Sequence, residues 1–276
     1  MNQPVQRVIE IVPRRAWGFP NLREIWTSRE LLLFLAWREV KIRYKQTTIG
    51  VAWAVLQPII TTAIFTVLFS RWAKFDTGDI PYPVFALAGL MIWLFTHSAV
   101  TLASSIFVNN TNLITKVYFP RMIVPISATL AALFDLLFGL VLLAFMMAYY
   151  RVGVGMNLLW TPLFILLAVL QAASLGTLLA AVNVKFRDVK FALPFFLQVW
   201  MIASPVFYPA SMMGRNAQLV FAINPLVGII EGFRATIFST PLDWQLIGIS
   251  AASTLVISIV CLVVFGRMED DFADII

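Results

Sequence analysis

Residues 49–70 present 22 consecutive positions without an ionisable side chain. As a helix rising about 1.5 Å per residue, this run exceeds the roughly 30 Å hydrocarbon layer of a bilayer, so it predicts a membrane span. The stretch before it is opposite in character. Across residues 29–46, Leu33, Trp37, Val40 and Tyr44 fall on one helical face while Arg38, Lys41, Arg43 and Lys45 crowd the others. That is the pattern of an amphipathic helix lying on a membrane surface rather than crossing it. A dense Lys/Arg cluster directly ahead of a first span predicts a cytoplasmic N-terminus.

Five further apolar runs follow, with approximate limits 84–107, 122–150, 158–182, 191–208 and 246–266. Each is long enough to cross, the 191–208 run only just. The expected fold class is therefore an all-α integral membrane protein with six spans. It divides into a cytoplasmic lead with the amphipathic helix (1–48), a transmembrane domain (49–266) and a cytoplasmic tail (267–276). This topology puts 15 Lys/Arg inside and five outside, a bias that supports cytoplasmic placement of both ends. Composition agrees: 12% of residues are charged, against about 25% in soluble domains, too few to cover a water-soluble globule. The net charge of +6 sits beside apolar runs, so lipid headgroups, not nucleic acid, are the expected counter-charge. Mixed and charged residues fill the chain before the first run, which argues against a cleavable signal peptide and leaves targeting to the spans.

Residues 216–239 are apolar enough to suggest a seventh span, but Asn224 followed by Pro225 is an N-cap with a first-turn proline. A helix restarting there leaves two pieces too short to cross, and Glu231 and Arg234 would each cost roughly 2.5–3.5 kcal/mol near the bilayer centre. A helical hairpin dipping in from the outer face, with Glu231 and Arg234 paired at i, i+3, is the favoured expectation over a seventh span.

The chemical inventory is thin. One His, one Cys and the lack of HExxH, G-x-S-x-G or GxxxxGK[ST] predict neither a hydrolase nor an ATPase, and no metal or cofactor bound by this chain. Cys261 lies in an apolar run and reads as packing; the carboxylates Glu269, Asp270, Asp271 and Asp274 read as a solvated tail. His97 and Asp135 fall at similar depths in the second and third spans. They are read as an intramembrane polar pair, favoured as an interhelical packing bond, with a proton relay as the other reading.

The loop after the second span is capped by Asn109, Asn110, Thr111 and Asn112 and stopped by Pro120, which predicts a short helix over 113–119. Leu113, Ile114, Val117, Tyr118 and Phe119 make it too apolar for a solvated loop. It is either a knob for a soluble partner's groove or a headgroup-level anchor. The 183–190 hairpin (NVKFRDVK) is short and basic.

The pieces REVKIRYKQTTIG (38–50) with Trp53, Gln57 and Pro58, LITKVYFPR (113–121) with Pro125, NVKFRD (183–188) leading to Pro194, Gln198, Ser204, Pro205, Val206, Tyr208 and Pro209, and then Asn224 and Pro225, stand in a telling order. With them the chain resembles the membrane permeases of type 2 ABC exporters, in the branch that exports polysaccharides and polyol phosphates such as O-antigen, capsule or teichoic acid. The resemblance implies a homodimer working with two copies of a separate ATP-binding subunit, which would carry ATP and Mg. It implies a coupling helix comprising Asn112, Leu113, Ile114, Lys116, Val117, Tyr118 and Phe119, and an interface helix bearing Trp37, Arg38, Lys41, Arg43, Tyr44 and Lys45. It also implies outer gate helices around Asn224, Pro225, Glu231 and Arg234. The cargo it implies is a lipid-linked polysaccharide crossing the bacterial inner membrane through a passage between subunits. Trp53, Trp93, Phe195, Trp200 and Tyr208 are candidates to line that passage, with core or membrane-belt roles equally open. The alternatives are a permease of the same type for a non-glycan cargo, and a proton-coupled carrier using His97 and Asp135.

Overall fold

The computed structural model describes residues 22–45, 52–69, 78–110 and 119–269, and among them it is helical with no strand. Two helices come first, α1 (Leu22–Thr27) and α2 (Arg29–Lys45). Then follow α3 (Ala52–Leu68), α4 (Tyr82–Asn109), α5 (Ile123–Tyr149), and α6 (Thr161–Lys185), the last led in by a 3₁₀ turn over Met156–Trp160. The chain ends with α7 (Val189–Ile202), α8 (Arg215–Phe221), α9 (Pro225–Ile237) and α10 (Trp244–Glu269).

Four of these helices, α4, α5, α6 and α10, are long and apolar enough to cross a bilayer. They match the expected runs within a few residues because each is an unbroken series of helix-compatible apolar residues between polar or proline-bearing ends. The other two expected spans are shorter than predicted. α3 has 17 residues, about 26 Å, with residues 49–51 and 70 outside the described part. α7 has 14 residues, about 21 Å, and stops at Ile202 rather than 208. Pro205 explains the stop: it offers no amide hydrogen and biases Ser204 away from helical dihedrals, so the chain unwinds over 203–209.

α4 is the centre of the bundle. Val84, Ala86, Leu87, Ala88, Ile92, Ala99, Val100, Ala103 and Phe107 on it are all fully buried, and it packs against α5 and α6 along much of its length. The α4–α6 crossing is close because it is built from small residues: a Cβ on Gly176 would lie 2.6 Å from that of Ala103. α5 and α10 bury only one stripe each. On α5 the opposite stripe, Leu137, Val141 and Phe145, is open, as are Leu255, Val256, Ile259 and Val260 on α10. Apolar faces of that extent mean lipid or another subunit outside, not water.

α8 and α9 are a bent pair, meeting at 113° across a three-residue break. Their freed backbone groups are taken by α10. Ser250 donates to the Ala222 carbonyl and accepts from the Gly228 amide, both at 2.9 Å, and Ser253 donates to the Ile223 carbonyl at 2.5 Å. A break this deep in an apolar bundle persists because those hydroxyls satisfy it.

Candidate functional site

The residues singled out in the sequence fall into two polar clusters at different levels of the bundle. The first surrounds the bend between α8 and α9. Asn224 caps α9 by accepting the Leu226 amide at 3.2 Å, and its Oδ1 also accepts from the Trp200 indole at 2.9 Å. Its Nδ2 donates to the Ala203 carbonyl at 3.2 Å and to Ser204 Oγ at 2.9 Å. One side chain thus starts α9 and ties it to the end of α7.

Arg234 is 3% exposed, a charge buried beside the unwound 203–209 stretch. Its guanidinium donates to the carbonyls of Pro205 (2.7 Å), Val206 (2.6 Å), Phe85 (3.3 Å) and Tyr208 (3.4 Å). Glu231 accepts from it at 3.1 Å and from the Ala210 amide at 3.2 Å, and the Phe85 ring lies 3.7 Å beneath it. Gly89 makes room: a Cβ there would run into the guanidinium and sit 2.5 Å from the Val206 carbonyl. Carbonyls released where α7 unwinds carry partial negative charge and need donors, and a planar five-donor fork supplies several at once. The Tyr82 hydroxyl adds a donor to the Phe207 carbonyl at 2.9 Å. α4, α7 and α9 are therefore bonded into one body at this level. Beside it, between α4, α9 and α10, lies a cavity of about 390 Å³ bordered by Phe85, Gln218, Glu231, Arg234 and Asp243.

Sequence reading anticipated the cap and the i, i+3 ion pair but missed the carbonyl cage. The signal for it was Pro205 following Ser204 near the end of an apolar run, together with one intramembrane Arg in excess of what a single Glu satisfies.

The second cluster corrects two expectations. Asp135 does not pair with His97; it accepts from Arg43, from the Tyr44 hydroxyl and from Ser98 Oγ at 3.2 Å, and Arg43 also donates to Ser98 at 3.0 Å. His97 instead lies beside the Trp93 ring, centroids 6.0 Å apart. Being next to Ser98 on α4, it points roughly 100° away from the face that meets Asp135.

Nor does α2 simply float on the membrane by its expected stripe. Its buried face is Leu35, Ala36 and Val40, while Leu33 and Trp37 are at least half exposed. Arg38 donates to Asn110 at 2.7 Å at the C-terminal end of α4, Trp37 meets Phe134 at 5.8 Å, and Arg43 reaches Asp135, twelve residues along α5. α2 therefore packs along α5 and touches α4 through Arg38 and Arg43, with Lys41 and Lys45 outward. The apolar stripe was right in kind but rotated, because a carboxylate inside the bundle draws the Arg43 side inward.

Of the coupling-helix residues, Asn112, Leu113, Ile114, Lys116, Val117 and Tyr118 lie outside the described residues. Phe119 is described, and it packs partly buried against the cluster of Leu35, Phe107, Met122 and Ile123 rather than projecting. Among the candidate lining aromatics, Trp93 is core at 3% exposure, Trp200 packs edge-on to it at 6.0 Å, and the half-buried Tyr208 donates to the Ile202 carbonyl at 3.0 Å. Trp53 and Phe195 are outward on α3 and α7, Phe195 at 71% exposure. Among the described residues no group of three or more His, Cys, Asp or Glu is arranged to hold a metal.

A bundle of long apolar helices around a buried central helix, with a broken helix pair stapled by intramembrane hydroxyls, is a polytopic integral membrane protein. It belongs to the ABC-2 type transporter family, whose membrane domain matches residues 30–238. The chain is similar to the O-antigen export system permease protein RfbA of Myxococcus xanthus, 27% identical over 256 residues, covering 92% of this chain and 98% of that one. It is similar to the protein of the same name from Klebsiella pneumoniae, 23% identical with 90% and 95% covered. It is also similar to the polysialic acid transport protein KpsM of Escherichia coli, 25% identical with 72% and 77% covered.

Proposed function

We propose that the chain is the membrane-spanning permease subunit of an ATP-driven exporter that moves a lipid-linked polysaccharide of O-antigen type out across the bacterial inner membrane. The observation that carries this reading is the near full-length likeness to relatives named as O-antigen export permeases, joined by one named as a polysialic acid transport protein over most of its length. ATP and Mg belong on a separate ATP-binding subunit, two copies of which serve a dimer of this chain, since the sequence has no phosphate-binding loop.

The passage lies between two copies. α3 and α7 support this, because both leave wide apolar faces uncovered, including Trp53, Ile60 and Ile64 on one and Phe191, Phe195 and Ile202 on the other. Two copies about a two-fold axis bring such faces together. Flat aromatic rings there meet sugar faces without holding them by fixed charge. α8 and α9 close the outer end, and Arg234 and Asn224 make the closure move with α7. The short helix expected over 113–119 receives the stroke from the ATP-binding subunit. A proton-carrier reading finds less support, because Asp135 is occupied by Arg43 and Tyr44 and His97 stands apart.

The test is restoration of surface polysaccharide in a permease-deleted strain that retains its ATP-binding subunit. The chain restores export, while Val117→Asp loses both export and pull-down of the ATP-binding subunit though it still inserts. Normal export by the Val117→Asp variant would remove the coupling assignment, and no restoration by the parent chain would remove the cargo.

A further inference from the structure

The cavity between α4, α9 and α10 has no part in the passage described above, yet it has the make-up of a binding site. Its volume of about 390 Å³ lies within the range of small-molecule pockets, roughly 300–1,000 Å³. The floor is buried: Phe85, Arg234, Phe238 and Leu246 are each less than a tenth exposed. Ser211, Thr240 and Pro241 on its border are exposed, so it opens to the surface, at the end of the bundle expected to face outward.

Charged groups border this space, but their charges cancel in pairs. Glu231 accepts from Arg234 at 3.1 Å. Asp243 accepts from Arg215 through both oxygens, and its Oδ1 also takes the Leu246 amide at 3.1 Å. A pocket without net charge gives an ion of either sign no surplus attraction to offset its lost hydration. What it does offer is a strong acceptor. Glu231 uses only Oε1 for Arg234 and the Ala210 amide, and Oε2 has no hydrogen-bond partner among the described residues. A carboxylate oxygen takes a hydroxyl donor in a shorter and stronger bond than a neutral acceptor does. Phe85 and Phe238 add apolar wall beside it. An acceptor for hydroxyls next to aromatic surface, in a pocket of balanced charge, suits a neutral sugar ring, which is apolar on its faces and hydroxylated at its edges.

We infer that the cavity is a subsite for a neutral saccharide, seated with a hydroxyl donating to Glu231 Oε2 and a C–H face on the wall formed by Phe85 and Phe238. An acidic sugar is disfavoured there, because its carboxylate would meet the unpaired oxygen of Glu231 as a like charge. Under the permease function proposed above, on which this step rests, the ring belongs to the glycan leaving the passage, and the subsite selects for a neutral polymer.

The experiment uses the full chain in lipid nanodiscs and titrates neutral methyl glycosides of hexoses and N-acetylhexosamines, the matching uronates, and Ca²⁺, read by saturation-transfer NMR for the sugars and by calorimetry for the ion. At least one neutral glycoside should bind saturably, and about tenfold or more tighter than its uronate. Glu231→Gln keeps an acceptor for Arg234 and Ala210 but replaces the open oxygen by an amide NH₂. It should weaken binding about tenfold or more, the scale of one lost hydrogen bond to a charged group. Ser211→Trp, at an exposed position on the border, should block the opening and abolish binding with an unchanged melting temperature. If Glu231→Gln does not accumulate, because the buried Arg234 loses its counter-charge, Ser211→Trp alone decides. Absence of saturable binding by any neutral glycoside, binding undiminished in Ser211→Trp, or preference for the uronate or for Ca²⁺ overturns the inference. Binding is read without the ATP-binding subunit and so is separate from export. A parent chain that binds but restores no surface polysaccharide removes the permease function and leaves the subsite; one that restores export and binds no sugar removes the subsite alone.

Discussion

Arg234 shows how one side chain can make an irregular segment permanent. Its guanidinium holds four carbonyls, one from α4 and three from the unwound stretch after α7, over an aromatic ring, and no other residue type offers that fork. Arg234→Lys keeps the charge but supplies only three donors from a point. It should cost about 3 kcal/mol or more by leaving buried carbonyls without partners. A drop in melting temperature of the detergent-solubilised protein with a retained helical spectrum is the expected result; an unchanged melting temperature would mean the cage is incidental. A second residue pair reports through pH. Arg215, at the start of α8, donates to Asp243, just ahead of α10, and that hydrogen bond holds the Asp243 carboxyl below the ordinary carboxylate range. The folded form therefore gains stability from this pair at neutral pH, and loses it as pH falls below about 4 and through the lowered folded value. The melting temperature of Asp243→Asn should accordingly lie slightly below the parent at pH 7 and converge with it in acid. A gap that stays constant with pH would show that the carboxylate contributes nothing by its charge.

At the scale of elements, the apolar runs made α4, α5, α6 and α10 legible, because a span needs nothing but length and apolarity, and both are written locally. Asn224–Pro225 made the restart of α9 legible for a similar reason: a cap is chosen by its own residue and the next two. What local pattern could not show was partnership. Nothing in the neighbourhood of Asp135 names Arg43, 92 positions away, so it was matched with the nearest titratable group at its depth. The early end of α7 was hidden because Val206, Phe207 and Tyr208 continue the apolar run past the proline that breaks it. Packing between elements carries a prediction of its own. Gly176 lets α6 approach α4 at Ala103 closely enough that any side chain must push the helices apart. Gly176→Leu should destabilise the bundle by roughly 1–3 kcal/mol or more through overpacking, seen as lost accumulation in membranes, with Gly176→Ala intermediate. Wild-type stability in Gly176→Leu would mean the crossing is looser than described.

For the whole molecule the division of labour is the central point. The chain is apolar over much of its outside and bonded into one body where α4, α7 and α9 meet, and its sequence carries no phosphate-binding loop of the GxxxxGK[ST] type. On the proposed function, work arrives from a separate ATP-binding subunit and is transmitted through helices. The most direct measurement is glycan movement and ATP hydrolysis in sealed proteoliposomes holding this chain with and without an ATP-binding subunit. The account predicts that the chain alone neither hydrolyses ATP nor moves a lipid-linked glycan, and that adding the subunit starts both together. Transport or hydrolysis by the chain alone would contradict it.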